Sequence, residues 1–215
     1  MKSKTKKFLL LILLICLIPA CGGSEGDSMA APASNSTYDA FSNPEKVNIT
    51  GYIGDAMEPF ISRDGNFLFF NDRGTGRDIY YATFGTETNF LYVGPVAGVN
   101  TPAVDGVPTM DSSNTFFYVS TGNYIPPYNT IYTGTWNGAG TVAGSAEVPG
   151  LSMAALGFIN FDVDVSPDGS TMYFNDGDFT GGGSVPGAAD IVIAVDSGGG
   201  FIRDPNSAVI MANVN

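Results

Sequence analysis

The 215-residue chain has no histidine, one tryptophan and two cysteines, and only 14% of it is charged. Without imidazole it cannot run Ser-His-Asp or Cys-His chemistry, nor hold zinc through histidine. Basic residues are scarce, 9 Lys and Arg against 21 Asp and Glu. No stretch beyond the amino end keeps a helical period. What is abundant is glycine (28 residues), proline (13) and aromatic side chains at 12%. Hydrophobic residues make up 44%, enough for a core, and exclude a chain disordered throughout.

Residues 1–20 read as a signal peptide. Lys2, Lys4, Lys6 and Lys7 precede an apolar run, Phe8 to Ile18, too short for a typical membrane span. The run ends in Ile18-Pro19-Ala20-Cys21-Gly22. This resembles a bacterial lipobox, which implies that Cys21 is lipidated and begins the mature chain. Gly22 in place of aspartate then implies an outer-membrane destination, on its periplasmic or surface face. Loss of the four lysines leaves five of the nine basic residues against 21 acidic ones, a formal charge of −16. Such a surface repels nucleic acid, and no nucleic-acid partner is expected. Cys16 leaves as well, so no intrachain disulfide remains possible. The expected membrane contact is through acyl chains alone.

Residues 21–43 are rich in Gly, Ser, Ala and Asn and read as a flexible tether. Gly22-Gly-Ser-Glu-Gly26 matches the serine-hydrolase elbow pattern by accident, since strand, helix and histidine partner are all missing.

A repeat governs residues 44–215. Ser62, Asp64, Gly65, Phe70, Asn71 and Asp72 recur 104 positions later as Ser166, Asp168, Gly169, Phe174, Asn175 and Asp176. A degraded copy, Val107 to Ser120, lies between them. Each copy predicts a hairpin: an apolar strand, a polar turn (Arg63 to Asn66, Asp111 to Asn114, Ser166 to Ser170) and an aromatic strand. Third strands are expected at Asp78 to Ala82, Thr130 to Thr133 and Asp190 to Ala194. Fourth strands are expected at Leu91 to Val93, Gly140 to Ala143 and Val209 to Met211, with one helical turn at Leu151 to Leu156. Four antiparallel strands in about 50 residues make one propeller blade. The expected units are 44–100, 101–150 and 151–215.

The S-x-D-G-x-x-x-x-F hairpin followed by D-I-Y resembles the WD-like propeller repeat of the TolB carboxy-terminal domain and its relatives. The resemblance covers roughly Val47 to Asn215 and implies an all-β fold, a partial β-propeller of about three blades. Known propellers use at least about four blades, so the chain is expected to be an incomplete array. The dipeptides Val47-Asn48 and Val99-Asn100 precede the next copy, and Val214-Asn215 would announce another.

Five residues are candidate ligand contacts. Glu58, Asp162 and Asp164 fall where a propeller turns its strands toward the central channel, and Asp162 and Asp164 are spaced to share one face of a strand. Converging carboxylates suit a cationic ligand, Ca²⁺ included. No other cofactor is expected. Asn175 to Gly183 lacks the closing glutamate of a calcium loop. Tyr124 and Tyr128, with Pro126 and Pro127 between them, suit peptide or glycan contact as an exposed loop. Asp78 and Asp190 are expected to anchor turns, and Trp136 to fill a core between blades. The function expected is a lipid-anchored envelope scaffold binding protein, peptide or glycan without catalysis. The alternative is a glycan-active hydrolase or lyase using paired acids such as Glu58 and Asp162.

Overall fold

The repeated hairpin reappears with its bonds intact. In a computed structural model, described over residues 44–215 except Thr75, the Ser62 hydroxyl donates to Asp64 at 2.5 Å and accepts the Phe67 amide at 3.0 Å. Two copies on, the Ser166 hydroxyl donates to Asp168 at 2.6 Å and accepts the Thr171 amide at 2.9 Å. Gly65 and Gly169 take φ of 75° and 74°, a conformation open to glycine at little cost. The middle turn is one residue shorter and builds the same closure differently. There the Asp111 carboxylate alone accepts the Ser113 and Thr115 amides, each at 2.8 Å, and Asn114 takes the left-handed position at φ 66°.

Each hairpin grows into one sheet. The first contains β1 (Asn48–Thr50), β2 (Met57–Ile61), β3 (Phe67–Asn71), β4 (Ile79–Thr86) and β5 (Asn89–Pro95). The second contains β6 (Asp105–Met110), β7 (Thr115–Ser120), β8 (Ile131–Trp136) and β9 (Val142–Glu147). The third contains β10 (Phe158–Val165), β11 (Thr171–Asp178), β12 (Ala188–Asp196) and β13 (Phe201–Arg203), with a short helix α1 (Ser207–Ile210) after it. Within each sheet the strands run in chain order as an antiparallel meander, and β1 adds outside β5 in parallel. The architecture is all-β, in sheets of four or five strands, compatible with the propeller class. Among the described residues no helix is long and apolar enough to cross a membrane. The expected signal peptide, Cys21 and tether lie outside the described residues.

Period-two alternation assigns the two faces of every sheet. Leu68 and Phe70 of β3 point one way, Phe69 the other. Phe69 joins Phe116, Tyr118 and Trp136 in the core between the first and second sheets. Phe117 joins Met172 and Phe174 in the core between the second and third. Trp136 stands edge-on to Phe69, ring centroids 4.9 Å apart, so it does fill the space between two sheets. The outer face of the first sheet is closed by Tyr52, packed on Phe70 at 4.8 Å.

Two expected elements are corrected. Val209 to Met211 is not a strand: Asp204-Pro205 starts a turn, the Asp204 carboxylate accepts the Asn206 amide, and α1 follows. The fourth strand of that sheet is instead β13, paired with Ala194 to Asp196. Leu151 to Leu156 makes no helical turn, because Gly150, Ala154 and Gly157 all take positive φ.

The anchoring assigned to Asp78 and Asp190 falls to asparagines. Asn100 grips both backbone groups of Ile79, accepting its amide at 2.7 Å and donating to its carbonyl at 3.0 Å. Asn215 grips Ile191 in the same way, at 2.7 and 3.1 Å. Asn100 and Asn215 thus clamp the sheets that precede them. The Asp78 carboxyl is raised above its usual range, first by burial and then by Asp72 and Asp105.

Candidate functional site

The first strand of every sheet carries the same irregularity at the same place. Pairing slips between Met57 and Phe60 in β2, between Gly106 and Thr109 in β6, and between Phe161 and Asp164 in β10. Such bulges re-aim a side chain and recur beside binding sites. The residue at each bulge is Glu58, Val107 or Asp162, with φ of 51°, 52° and 51°. Left-handed backbone is unusual for all three and most strained for the β-branched valine. β6 touches both β2 and β10, so the three bulges face one groove.

The groove has two adjoining hollows, which share Glu58, Val107 and Asp162. One, of about 580 Å³, is completed by Phe60, Arg63, Thr109 and Asp164. The other, of about 500 Å³, has walls of Val119, Ile159, Phe161 and Phe179, with Arg77 on its rim. Both volumes fall in the range of small-molecule sites.

The charges in the groove are mixed. Arg63 leaves the first turn, donates to the Val165 carbonyl at 2.6 Å, lies 3.6 Å from Asp164, and covers the Phe60 ring. It thereby ties the first sheet to the third. Asp164 also accepts from the Thr109 hydroxyl at 2.8 Å. Asp162 accepts from Asn175 at 2.9 Å through Oδ2. Glu58 Oε1 lies 3.8 Å from Arg77, too far for a hydrogen bond, and its buried Oε2 has no partner among the described residues.

The structure thus brings Glu58, Asp162 and Asp164 together, as the repeat led one to expect, although Asp162 gets there through a bulge. Tyr124 and Tyr128 do not line either hollow. The Tyr124 hydroxyl donates to the Phe158 carbonyl at 2.7 Å and accepts the Gly157 amide at 3.0 Å, packing the loop on the third sheet. Tyr128 packs against it in a tilted arrangement, ring centroids 5.1 Å apart. Glu147 secures the same loop, accepting from Asn123, Asn129 and Tyr132. The Asn129 bond, then the other two, holds Glu147 below the usual carboxylate range; burial, then Glu147, pushes Tyr132 up to about 12. Among the described residues no three acidic side chains are grouped as metal ligands, which leaves the calcium expectation without a site.

Sequence reasoning missed Arg63, Arg77 and Thr109. The signal available was scarcity: with so few cations in the chain, two arginines beside repeat-bearing acids stand out.

A scan against models of protein families matches none. A search of curated proteins finds no match. Among solved structures the chain is similar to a putative 6-phosphogluconolactonase from Bacteroides uniformis, at 12% identity and a TM-score of 0.41. The match covers 74% of this chain and 43% of that one, and it carries no inference about activity.

Proposed function

We propose that residues 44–215 are part of a TolB-like β-propeller whose groove binds a peptide or glycan without transforming it. In this reading the three sheets are successive blades, and β2, β6 and β10 line the channel. One observation carries it: of the seven non-glycine residues with positive φ among the described residues, four (Glu58, Arg77, Val107 and Asp162) border one 500 Å³ hollow. Strained backbone at several equivalent points, all bordering one hollow, favours a ligand clamp over a chance surface. A carboxyl serving as general acid wants a closed, apolar setting; Asp162 and Asp164 are exposed and hold polar partners, and the half-buried Glu58 stands 3.8 Å from the Arg77 guanidinium. That favours recognition over glycan cleavage.

The test offers envelope glycans and peptides to the chain and to the Asp162→Asn/Asp164→Asn double variant. Saturable binding that weakens in the variant, with no new reducing ends or amines released, is the expected result. Cleavage that disappears in the variant would overturn it.

We further propose that lipid on Cys21 holds the protein in the cell envelope, with an outer-membrane destination. The order of basic residues, apolar run and cysteine supports this. Cys21→Ser should move the protein out of the membrane fraction and end incorporation of labelled palmitate. Unchanged fractionation would contradict it.

A further inference from the structure

Few cations remain in this chain beyond its first seven residues, so where the arginines sit is informative. Arg203 is committed to structure: it forms a bidentate pair with Asp176 at 2.6 and 2.7 Å, bonds the Leu151 carbonyl, and covers the Phe174 ring. Arg63 is held by the Val165 carbonyl. Arg73 lies on the surface, 3.8 Å from Asp55. Arg77 is different. Its half-exposed guanidinium has no hydrogen bond among the described residues, only a loose approach to Glu58, and it stands on the rim of the 500 Å³ hollow.

Two carboxylates on the same hollow, Glu58 beside Arg77 and Asp162, have acceptor capacity to spare. Asp162 uses Oδ2 for Asn175, and nothing bonds its Oδ1 among the described residues. Glu58 lines the same hollow with an unpartnered Oε2, and its Oε1 lies 3.8 Å from Arg77 without a hydrogen bond. The rest of the wall is mostly apolar, with Val119, Ile159, Phe161 and Phe179 beside Thr121 and Ser184. A planar fork of donors, neighbouring carboxylates and a greasy wall together define a ligand with a carboxylate, an ammonium group and an apolar body.

We propose that this hollow takes a free α-amino acid, or a dipeptide, with an apolar side chain, and reads both charged ends. Arg77 receives the carboxylate, Asp162 and Glu58 receive the ammonium group, and the side chain lies against Phe161 and Phe179. This rests on the groove being a binding site, as proposed above, and narrows what it binds. A hollow of this size holds such a molecule with room for water, and Arg77 exchanges a long contact with Glu58 for a bidentate one.

The test is calorimetry on the full chain in detergent with four compounds, leucine, N-acetylleucine, leucinamide and doubly capped N-acetylleucinamide, and with Leu-Leu as the dipeptide. Leucine should bind, and capping either end should weaken it about tenfold, the loss expected for one hydrogen-bonded charge. Arg77→Gln should erase the difference between leucine and leucinamide; Asp162→Asn should shrink that between leucine and N-acetylleucine, and Glu58→Gln/Asp162→Asn should erase it. Arg73→Gln, outside the hollow, should change neither, and each variant's melting temperature confirms that it is folded. Equal binding of all four compounds, or none by leucine and Leu-Leu, would overturn the inference. A longer peptide, capped at both ends, that binds and is lost in Asp162→Asn/Asp164→Asn would leave the groove standing and remove only its taste for free ends.

Discussion

The middle hairpin and its two neighbours make the same turn from different residues. In the first and third, a serine and an aspartate divide the work of holding the backbone amides. In the middle one Asp111 does both jobs. At the bulges the relation is reversed: the backbone is nearly identical, while the side chain changes from Glu58 to Val107 to Asp162. A repeat of this kind constrains bond patterns and lets residue identity drift wherever geometry can be met another way. Where a constrained backbone carries dissimilar side chains toward one groove, those side chains are the part free to serve a ligand.

The largest effect that would sharpen this contrast lies in the cores. Phe69, Phe117 and Tyr173 hold equivalent places, yet they are 0%, 4% and 43% exposed. Phe117→Ala should cost about 3–5 kcal/mol in chemical denaturation, and Tyr173→Ala well under that. Equal losses would mean the equivalence of the three sheets is misread. Next comes Asp111→Ala, which strands two backbone amides at a nearly buried turn and should cost about 1–3 kcal/mol. Asp168→Asn should cost less, since its exposed turn keeps Ser166. A comparable loss in the two variants would break the idea that one residue carries the middle turn.

A smaller effect concerns pH. The Ser166 hydroxyl, then the Ser170 amide and hydroxyl, hold Asp168 down to about 2 from an ordinary 3.8. A depressed carboxyl adds stability above its unfolded value and loses it as pH falls through its folded value. The contribution of Asp168 should therefore fade between about 3.8 and about 2, and Asp168→Asn should flatten that part of the stability curve. A wild-type slope surviving in the variant would assign the effect to another group.

Much of this was legible in the residues. Asp-Gly turns and aromatic strands gave the hairpins, because a turn's φ requirement and a strand's alternation are both written locally. The place of Trp136 followed from its size, and the convergence of Glu58, Asp162 and Asp164 from their place in the repeat. The bulges were only partly legible: Pro59 and Pro108 follow the bulge residue in two of the strands, a position where proline marks an edge or a bulge, but Asp162-Val163 carries no such sign. Arg63 and Arg77 were missed because a long side chain on a loop can reach in many directions, and only the fold selects one. The last strand escaped because β13 is three residues long, while the β-branched pair Val209-Ile210 sits after an Asp-Pro turn that starts a helix.

The central claim is that hairpins hold this molecule together and bulge side chains serve a ligand. It is tested most directly by the melting temperature of Glu58→Gln/Asp162→Asn. The two carboxylates hold only a loose ion pair and one exposed hydrogen bond, together about 1 kcal/mol or less. The account predicts melting within a few degrees of the parent chain, roughly the shift such an energy gives. A fall as deep as that of Asp111→Ala would place these acids in the frame and contradict it.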